Sequence, residues 1–396
     1  MKKKILLYCW GAHNEGALKR AIEENGYACI TFLKKMQDYH ADSCFSMEFL
    51  NVLHAEKIDA VLGYDYFPLI SMLCEINKIP YISWIYDCPQ LTLQSVTLKN
   101  SNNYIFCFDR LFTERLVQMG AQNCFHFPLA GDDEFGRKID DILKNNSDIE
   151  QKYHCDISFV GNLYNGDKNR LRKASLPEYI RGYLEGIIHA QLQVYGYNFI
   201  KETLSDEITS ELVEQCQLKL GDMYLKDDRQ MAADVIGMEI SAREREQALN
   251  LLGEKYEVRV YTGSNLPEAL ATAKVKNMGY ADYDREMPLI FRESRINVNI
   301  TSKTIESGVP MRVFDILSCN GFCMTNYQSE IAELFEDGKD LVMYTSMEDM
   351  IEKVGYYLNH EEERREIAES GAKKIKEYSM QKKIEQIFDI ALGGRE

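Results

Sequence analysis

Two polar stretches contain residues suited to bind a phosphorylated ligand, and each follows an apolar run typical of a β-strand. The first begins at Gly161-Asn162 and continues through Lys168 to Arg170. Glycine lets the backbone approach a phosphate, the N-terminus of a following helix favours an anion, and the cations add charge. An exposed turn with ordinary surface cations is the alternative. The sequence has neither G-x-G-x-x-G nor a P-loop pattern, so a dinucleotide fingerprint and a Walker motif are absent.

The second stretch runs from Gly308 to Asp315 and is predicted to open a helix at Pro310. Gly308 leaves backbone amides available to a diphosphate, and Asp315, one turn further on, can accept hydrogen bonds from ribose hydroxyls. Arg312 and Asp315 are three residues apart and share a helix face, which also fits a structural ion pair. Their neighbours are apolar, and a half-buried charge pair needs partners. The spacing leaves a ligand site and a structural pair equally open.

Two residues in strand-end loops are candidates for acid–base chemistry. Asp87 follows the apolar run YISWI, where a carboxylate can act as a base or bind a sugar. Its alternative role is an Asx turn before Pro89. His13 follows the first predicted strand and is the residue type best suited to a general base near neutral pH. Its alternative role is to cap the first helix.

Strand-like and helix-like runs alternate through the first third of the chain, which predicts a Rossmann-like domain over residues 1–130. Ligands in such open sheets bind beyond the carboxyl ends of the strands, so the strand-end loops matter most. The predicted strands are 5–10, 28–33, 60–64, 79–84, 103–109 and 123–130, and the predicted helices are 14–26, 46–56, 68–78 and 110–120.

A polar stretch, 131–154, is predicted to cross to a second α/β domain over residues 155–375. Its predicted strands are 157–160, 256–263, 295–301, a run after Gly321, and 341–345. Residues 175–252 have an almost wholly helical pattern and form a predicted insert, which we expect to shape an acceptor site or a dimer interface. Residues 376–396 are predicted to form a closing helix.

Composition excludes several classes of protein. The formal net charge is −16, which lacks the basic footprint of a nucleic-acid-binding protein. The apolar run after Met1-Lys2-Lys3-Lys4 is shorter than the ~7–15 residues of a signal peptide core, and no run approaches the ~20 apolar residues of a membrane span. The 11 cysteines include no C-x-x-C pair, and neither they nor the 7 histidines show metal-ligand spacing. We therefore expect a cytoplasmic protein without a metal or other cofactor.

Several stretches in the same order resemble the CgeB-type glycosyltransferases, a bacterial family named after a spore-maturation protein. The longest is INVNITSKTIESGVPMRVFDILSCNGFCMTNYQSEIAELFEDGKDLVMYTSMEDM, and PYISWIYDCP, YIFCFDR, HFPLA, ISFVGNLYNGDKNR, EYIRGYLEGIIHAQ and YEVRVYTG also match. The resemblance implies an α/β protein of the GT-B class, with two Rossmann-like domains facing across a cleft. It also implies that the second domain binds a nucleotide sugar, that the first presents the acceptor, and that the last helix packs back toward the first domain.

The resemblance also implies roles for individual residues. Asp315 falls where GT-B enzymes hold the ribose, and Arg312 and the 308–310 loop would lie by the diphosphate. The full donor-binding set predicted here is Gly161, Asn162, Lys168, Arg170, Thr262, Glu306, Gly308, Arg312 and Asp315. Related retaining enzymes carry two acids eight residues apart, but Ser307 stands eight before Asp315 and Glu306 is one residue out of register. The stereochemical outcome is therefore open, and His13 and Asp87 are the catalytic candidates.

The predicted function is a hexosyltransferase-type glycosyltransferase. It would move a sugar from a nucleotide-diphospho-sugar, with UDP favoured, to a protein or to a glycan of the cell or spore surface. Helix N-termini and cations would stabilise the leaving diphosphate, so no metal is expected. The alternatives are a sugar-nucleotide epimerase and a non-catalytic nucleotide-sugar-binding protein that uses 175–252 as its interaction surface. A homodimer formed through this insert is a further expectation.

Overall fold

The computed structural model describes residues 2–132, 134–145, 147–270 and 274–393. The chain divides into two compact units. Unit 1 contains Met1–Asp132, Leu220–Lys226 and Tyr378–Glu396, and unit 2 contains Asp133–Lys219 and Asp227–Glu377. The chain passes from unit 1 to unit 2 after Asp132, so the predicted crossover, 131–154, belongs to unit 2 except for its first two residues. Seven residues of the predicted insert belong to unit 1.

Unit 1 is built on a six-stranded parallel sheet with the order β2-β1-β3-β4-β5-β6. Its strands are β1 (Lys4–Tyr8), β2 (Ala28–Phe32), β3 (Ala60–Tyr64), β4 (Tyr81–Ile85), β5 (Asn103–Cys107) and β6 (Cys124–His126). Every residue of β3 and β4 is buried, as expected for the central strands of a parallel sheet covered on both faces.

Helices connect the strands of unit 1, and the last helix of the chain joins them. They are α1 (Glu15–Glu24), α2 (Ser43–Glu56), α3 (Pro68–Asn77), α4 (Arg110–Gln118) and α16 (Met380–Leu392). The side chain of Asn25, after α1, donates to the Gln381 carbonyl at 3.0 Å, and the rings of Tyr27 and Phe388 lie 4.4 Å apart. The closing helix therefore packs on α1.

Unit 2 is built on a second six-stranded parallel sheet, with the order β12-β11-β10-β7-β8-β9. Its strands are β7 (Cys155–Val160), β8 (Val258–Tyr261), β9 (Val275–Gly279), β10 (Ser294–Asn299), β11 (Cys323–Asn326) and β12 (Val342–Tyr344). Strand order reverses between β7 and β10, which is where open α/β sheets bind ligands. The corresponding reversal in unit 1 lies between β1 and β3.

The helices of unit 2 are α5 (Phe135–Asn145), α6 (Ser147–Tyr153), α7 (Glu178–Leu192), α8 (Ile200–Thr203), α9 (Asp206–Gln215), α10 (Asp228–Lys255), α11 (Met287–Glu293), α12 (Met311–Ser318), α13 (Ser329–Leu334), α14 (Met347–Asn359) and α15 (Glu361–Lys374). The longest, α10, has 28 residues, which corresponds to a length of about 42 Å. Its second half packs on the sheet through Ala248, Leu249 and Leu252. The residues before them, from Gly237 to Arg245, hold the loops described below.

Four elements of unit 2 were not predicted from the sequence. Helices α5 and α6 lie within the predicted crossover, and β9 and α11 lie between the predicted strands 256–263 and 295–301. In β9, Lys276, Asn277 and Met278 are exposed because this strand lies at the edge of the sheet. An edge strand with exposed side chains lacks the apolar pattern by which the other strands are recognised.

Within the described ranges, no helix is both long and apolar enough to span a membrane. The longest helix, α10, carries charged residues along its length, including Glu239, Glu244 and Arg245.

Candidate functional site

The loop after β7 is tied to the loop after β8 at the carboxyl edge of the unit 2 sheet. The Asn162 side-chain oxygen accepts from the Tyr164 amide at 2.6 Å and from the Ser264 hydroxyl at 3.2 Å. The Gly161 amide donates to the Tyr261 carbonyl at 3.1 Å. Gly161 and Asn162 therefore lie at the predicted edge. The Gly161 amide already has a partner within the protein, so a hydrogen bond from this amide to a phosphate would have to compete with the Tyr261 carbonyl.

Arg245 of α10 joins the two strands that flank the reversal of strand order. Its guanidinium donates to the Asn162 carbonyl after β7, and its Nε donates to the Ile300 carbonyl after β10 at 3.2 Å. The guanidinium also lies over the Tyr164 ring, 4.4 Å from its centroid. Arg245 is 7% exposed, so it positions both loops from beneath. Sequence reasoning missed it because a helical arginine among other charges gives no local sign of its partners.

A second network fixes the remainder of the loop after β7 to α10. Buried Glu239 accepts from the Asn169 amide group at 2.7 Å and from the Arg172 Nε at 2.6 Å. Its other oxygen accepts from Arg243 at 2.7 Å, and Arg243 in turn donates to both oxygens of Glu185 on α7. The loop is therefore held from inside by a connected set of ion pairs.

The three remaining predicted residues of these loops have different surroundings. Lys168 is exposed. Arg170 donates to the Gln217 carbonyl at 3.0 Å, so its charge lies against the helical insert. Thr262 is buried, and its hydroxyl accepts from the Ser264 amide at 3.0 Å. Both cations are exposed, and Arg170 differs from Lys168 in donating to a carbonyl of the insert.

The loop after β10 rests on the same helix α10. The Lys303 amide donates to the Ser241 hydroxyl at 2.8 Å, and the buried Lys303 ammonium lies 3.2 Å from a carboxylate oxygen of Glu244. A Cβ at Gly237 would lie 3.2 Å from the Thr304 methyl group, so a larger residue at this position would press on the loop. One helix thus holds the loops on both sides of the reversal.

Glu306 and Gly308 lie at the end of this loop. Gly308 is buried and Glu306 is half-buried. The Ser307 hydroxyl between them donates to buried Glu330 at 2.6 Å, and the Gln328 side chain donates to the Ile305 carbonyl at 3.1 Å. These contacts fix the segment that enters α12.

Arg312 and Asp315 form an ion pair in α12, with the Arg312 Nη1 3.1 Å from an Asp315 oxygen. The other Asp315 oxygen accepts from the Tyr283 hydroxyl at 2.7 Å, and Asp315 is 2% exposed. Arg312 lies over the Phe291 ring of α11 at 5.4 Å. Both charges therefore have protein partners at the α11–α12 interface, as in the structural alternative. A carboxylate can nevertheless accept more than two hydrogen bonds. Tyr283 was missed by sequence reasoning.

In unit 1, His13 and Asp87 are exposed residues in the loops after β1 and β4. The residue that caps α1 is Asn14, with a left-handed backbone, rather than His13. The Glu15 carboxylate accepts from the Gly11 and Ala12 amides at 2.9 Å each, which closes the loop that carries His13.

Asp65, after β3, is a functional candidate that sequence reasoning missed. One of its oxygens accepts from the Tyr86 and Asp87 amides at 3.0 Å each, and it is 2% exposed. Burial, followed by the charge of Asp87, raises the pKa of Asp65 to about 7, although the two amide hydrogen bonds oppose this shift. Perturbed carboxyl groups of this kind are frequent at catalytic sites. The available signal was an acid directly after an apolar strand, the same pattern that identified Asp87.

The chain is similar to known proteins in part of its sequence and in its fold. Residues 240–389 match a family model described as glycosyl transferase-like. None of the curated proteins compared with the chain matches it by sequence.

Solved structures similar to the chain include glycosyltransferases and a synthase. Sucrose-phosphate synthase from Thermosynechococcus elongatus has a TM-score of 0.54 and 9% identity over 99% of this chain and 100% of that chain. A glycosyltransferase from Rickettsia africae has a TM-score of 0.51 and 10% identity over 100% of both chains. HepE from Anabaena, in complex with UDP-glucose, has a TM-score of 0.51 and 11% identity over 98% of this chain and 99% of that chain. The GT-B fold predicted for the chain is thereby confirmed.

Proposed function

We propose that this chain is a glycosyltransferase that moves a sugar from a nucleotide-diphospho-sugar to a protein or glycan acceptor. The observation that carries the proposal is the Arg245 bridge, which sets two polar loops side by side where the strand order of unit 2 reverses. Arg245 and the loop after β10 also lie in the segment that matches the glycosyl transferase-like model. UDP is the favoured nucleotide because the similar Anabaena protein was solved with UDP-glucose.

We further propose that Lys168 and the N-terminus of α12 stabilise the diphosphate as it leaves. The leaving group gains negative charge, and a mobile cation together with a helix N-terminus is suited to receive it. Among the described residues, no three His, Cys, Asp or Glu side chains are grouped to hold a metal ion. We propose donor binding without a protein-held metal, with Lys168 and the N-terminus of α12 as the source of positive charge, to be tested by adding EDTA.

Asp315 is proposed to accept a hydrogen bond from the ribose in addition to those from Tyr283 and Arg312. The test compares UDP with 2′,3′-dideoxy-UDP, which lacks the ribose hydroxyls. The native chain should bind UDP more tightly, and Asp315→Asn should reduce this preference. If the native chain and Asp315→Asn prefer UDP over the dideoxy analogue equally, Asp315 has a purely structural role, whatever the change in the stability of the variant.

For the acceptor, we propose that the exposed Asp87 takes the proton of the attacking hydroxyl. Asp65 would position it through the hydrogen bond from the Asp87 amide, which is 3.0 Å long. His13 is the second candidate for the base. Removal of the base should slow transfer without weakening the binding of UDP, and this separates the role of unit 1 from that of unit 2.

We also propose a cytoplasmic protein that dimerises through the helical insert, on which Tyr179 and Tyr197 are strongly exposed. The mass of one chain is 45.8 kDa, and a solution mass equal to it would contradict the dimer.

The experiment that tests the proposed function is a panel of UDP-, GDP- and ADP-sugars, with and without EDTA. We expect at least one UDP-sugar to raise the melting temperature and to be hydrolysed slowly in the absence of an acceptor. If no nucleotide sugar binds, the proposal is wrong. Conversion of the donor to an epimer without transfer would instead favour the epimerase alternative.

A further inference from the structure

Seven residues of the helical insert, Leu220–Lys226, belong to unit 1 although the chain on either side belongs to unit 2. We call this segment the strap. The Val96 amide donates to the Met223 carbonyl at 2.9 Å, and the Leu225 amide donates to the Gln94 carbonyl. Tyr224 pairs with Ser95 in an antiparallel bridge, and Leu225 packs against the hydrophobic core of unit 1. The strap is therefore attached to unit 1 by backbone hydrogen bonds and apolar contacts.

The strap lies against the two connections that follow β2 and β4 in unit 1. Gln94 and Val96 belong to the connection after β4, which also carries Asp87. The Tyr224 ring packs edge-on against His40, in the connection after β2, with the ring centroids 4.8 Å apart. The strap thus joins two connections that leave the carboxyl edge of the sheet, where an open parallel sheet binds its ligand.

Polar atoms beside the strap are buried without a hydrogen-bond partner among the described residues. They are the Gln94 side-chain oxygen, the Thr92 hydroxyl and the His40 Nε2. Gln94 is 7% and Thr92 8% exposed. Buried polar groups are nearly always hydrogen-bonded in folded proteins, so these three atoms are available to water or to the hydroxyl groups of a ligand.

Apolar and aromatic side chains accompany these polar atoms. Tyr39 is 47% and Met223 44% exposed, which is unusual for such large side chains. Tyr39 packs on Phe67, with ring centroids 5.7 Å apart, and Phe67 lies 6.3 Å from the ring of Trp10. The exposed charges of the strap, Asp222 and Lys226, lie 3.8 Å apart and offset each other. The Asp38 carboxylate of the loop after β2 lies close enough to Tyr224 to add to the effect of burial, which raises the pKa of the Tyr224 hydroxyl. This region therefore combines aromatic surface with neutral hydrogen-bonding groups and one carboxylate, which disfavours an anionic ligand.

We propose that the strap and the loops beside it form the acceptor site, and that the acceptor is a neutral carbohydrate. A pyranose ring has an apolar face that stacks on aromatic rings, and its hydroxyls bond to amide, hydroxyl and imidazole groups. An anionic acceptor would require cations in place of Gln94, Thr92 and His40. The proposal rests on the proposed function, because it identifies the acceptor of that transfer. Tyr224 is its specificity-determining residue.

Both tryptophans of the chain, Trp10 and Trp84, lie in unit 1, so tryptophan emission reports on this unit alone. The probe is a panel of methyl α- and β-hexopyranosides and of glucose disaccharides, titrated in the absence of nucleotide. We expect at least one member to change the tryptophan emission saturably. Tyr224→Ala should weaken that binding at least tenfold, and Tyr224→Phe should restore most of it.

The control is Tyr356→Ala, which removes the tyrosine of another Tyr–His ring pair, on α14 of unit 2, where the centroids of Tyr356 and His360 lie 3.8 Å apart. This change should leave sugar binding within twofold of the native value. Saturable binding with unchanged affinity in Tyr224→Ala would overturn the proposal, as would no response to any member of the panel. Binding of UDP-glucose, measured separately by thermal shift, tests the proposed function and can fail or succeed independently.

Discussion

The two sheets have carboxyl edges with different chemistry, although each sheet has six parallel strands and a reversal of strand order. At the edge of unit 2, Arg245 and Glu239 of one long helix hold the strand-end loops through ion pairs and carbonyl contacts. In unit 1, a buried acid, Asp65, lies beside exposed Asp87, and the Tyr224 ring of the strap packs against His40. The same architecture thus presents a rigid polar frame in one unit and an acid with an aromatic surface in the other.

The difference shows that the fold fixes the place of a site while the loops determine its chemistry. Arginine and helix N-termini suit a diphosphate, whereas neutral and aromatic groups suit a sugar. If this division of labour is right, changes in unit 1 should affect transfer and changes in unit 2 should affect nucleotide binding.

The largest effect is expected from Asp87→Asn in unit 1. Loss of a general base typically lowers a rate by about 10²–10⁴-fold. Transfer to the acceptor should fall by that order, while the affinity for UDP should stay within twofold. The measurement is initial rate together with calorimetric titration of UDP. A similar loss in His13→Ala with none in Asp87→Asn would instead assign the base to His13.

Arg245→Met in unit 2 is expected to act on stability and on nucleotide binding together. The change leaves the Asn162 and Ile300 carbonyls without their arginine donor, and each buried unsatisfied group costs about 1–3 kcal/mol. We expect the free energy of unfolding to fall by about 3 kcal/mol and UDP binding to weaken at least tenfold. Denaturant titration and calorimetry measure these effects.

Its control is Arg365→Met, because Arg365 forms an exposed i,i+4 pair with Glu361. Exposed pairs contribute about 0–1 kcal/mol, so neither quantity should change appreciably. Equal effects of the two substitutions would show that Arg245 is not a special support.

The pH dependence of stability should reveal Asp65. Its pKa in the folded chain is raised from 3.8 to about 7, so the folded state binds this proton more tightly than the unfolded state. The contribution of Asp65 to stability is therefore fully present below about pH 4 and is lost as the pH rises through about 7. The difference in melting temperature between the native chain and Asp65→Asn should change across this range. A constant difference would contradict the raised pKa.

The positions of most strands, and with them the loops that carry the candidate residues, could be predicted from the sequence because buried parallel strands leave a strong local pattern. AVLGY, for example, was predicted as the strand that the structure has as β3. The apolar run YISWI likewise predicted β4, and with it the place of Asp87. Edge strand β9 could not be predicted, because its exposed lysine, asparagine and methionine side chains resemble those of a loop.

The supports of the site could not be predicted because they depend on contacts between distant residues. Arg245 meets Asn162 and Ile300 across 83 and 55 residues of sequence, and nothing in the local pattern of α10 indicates those partners. The strap could not be predicted for the same reason, since the attachment of residues 220–226 to unit 1 depends on the path of the chain. Spacing alone also left open whether Asp315 forms a structural ion pair. Its protein partners became evident only from the contacts with Tyr283 and α11.

The smallest expected effect compares two cations in one loop, and it tests whether the edge of unit 2 recognises a diphosphate. Lys168 and Arg170 are both exposed, but Arg170 already donates to the Gln217 carbonyl. A hydrogen bond to a charged group contributes about 1.5–3 kcal/mol, and less at an exposed site. Lys168→Ala should therefore weaken UDP binding about tenfold, whereas Arg170→Ala should change it less than twofold.

Uridine, which has no phosphate, distinguishes a direct contact of Lys168 with the diphosphate from a disturbance of the loop. If Lys168 contacts the diphosphate, Lys168→Ala should leave the affinity for uridine unchanged, because the lost interaction involves the phosphates alone. If the substitution weakens the binding of UDP and of uridine equally, Lys168 supports the conformation of the loop and does not contact the diphosphate. In that case Arg170→Ala should show the same pattern, since its carbonyl contact also fixes the loop, and the recognition of the diphosphate would fall to the N-terminus of α12.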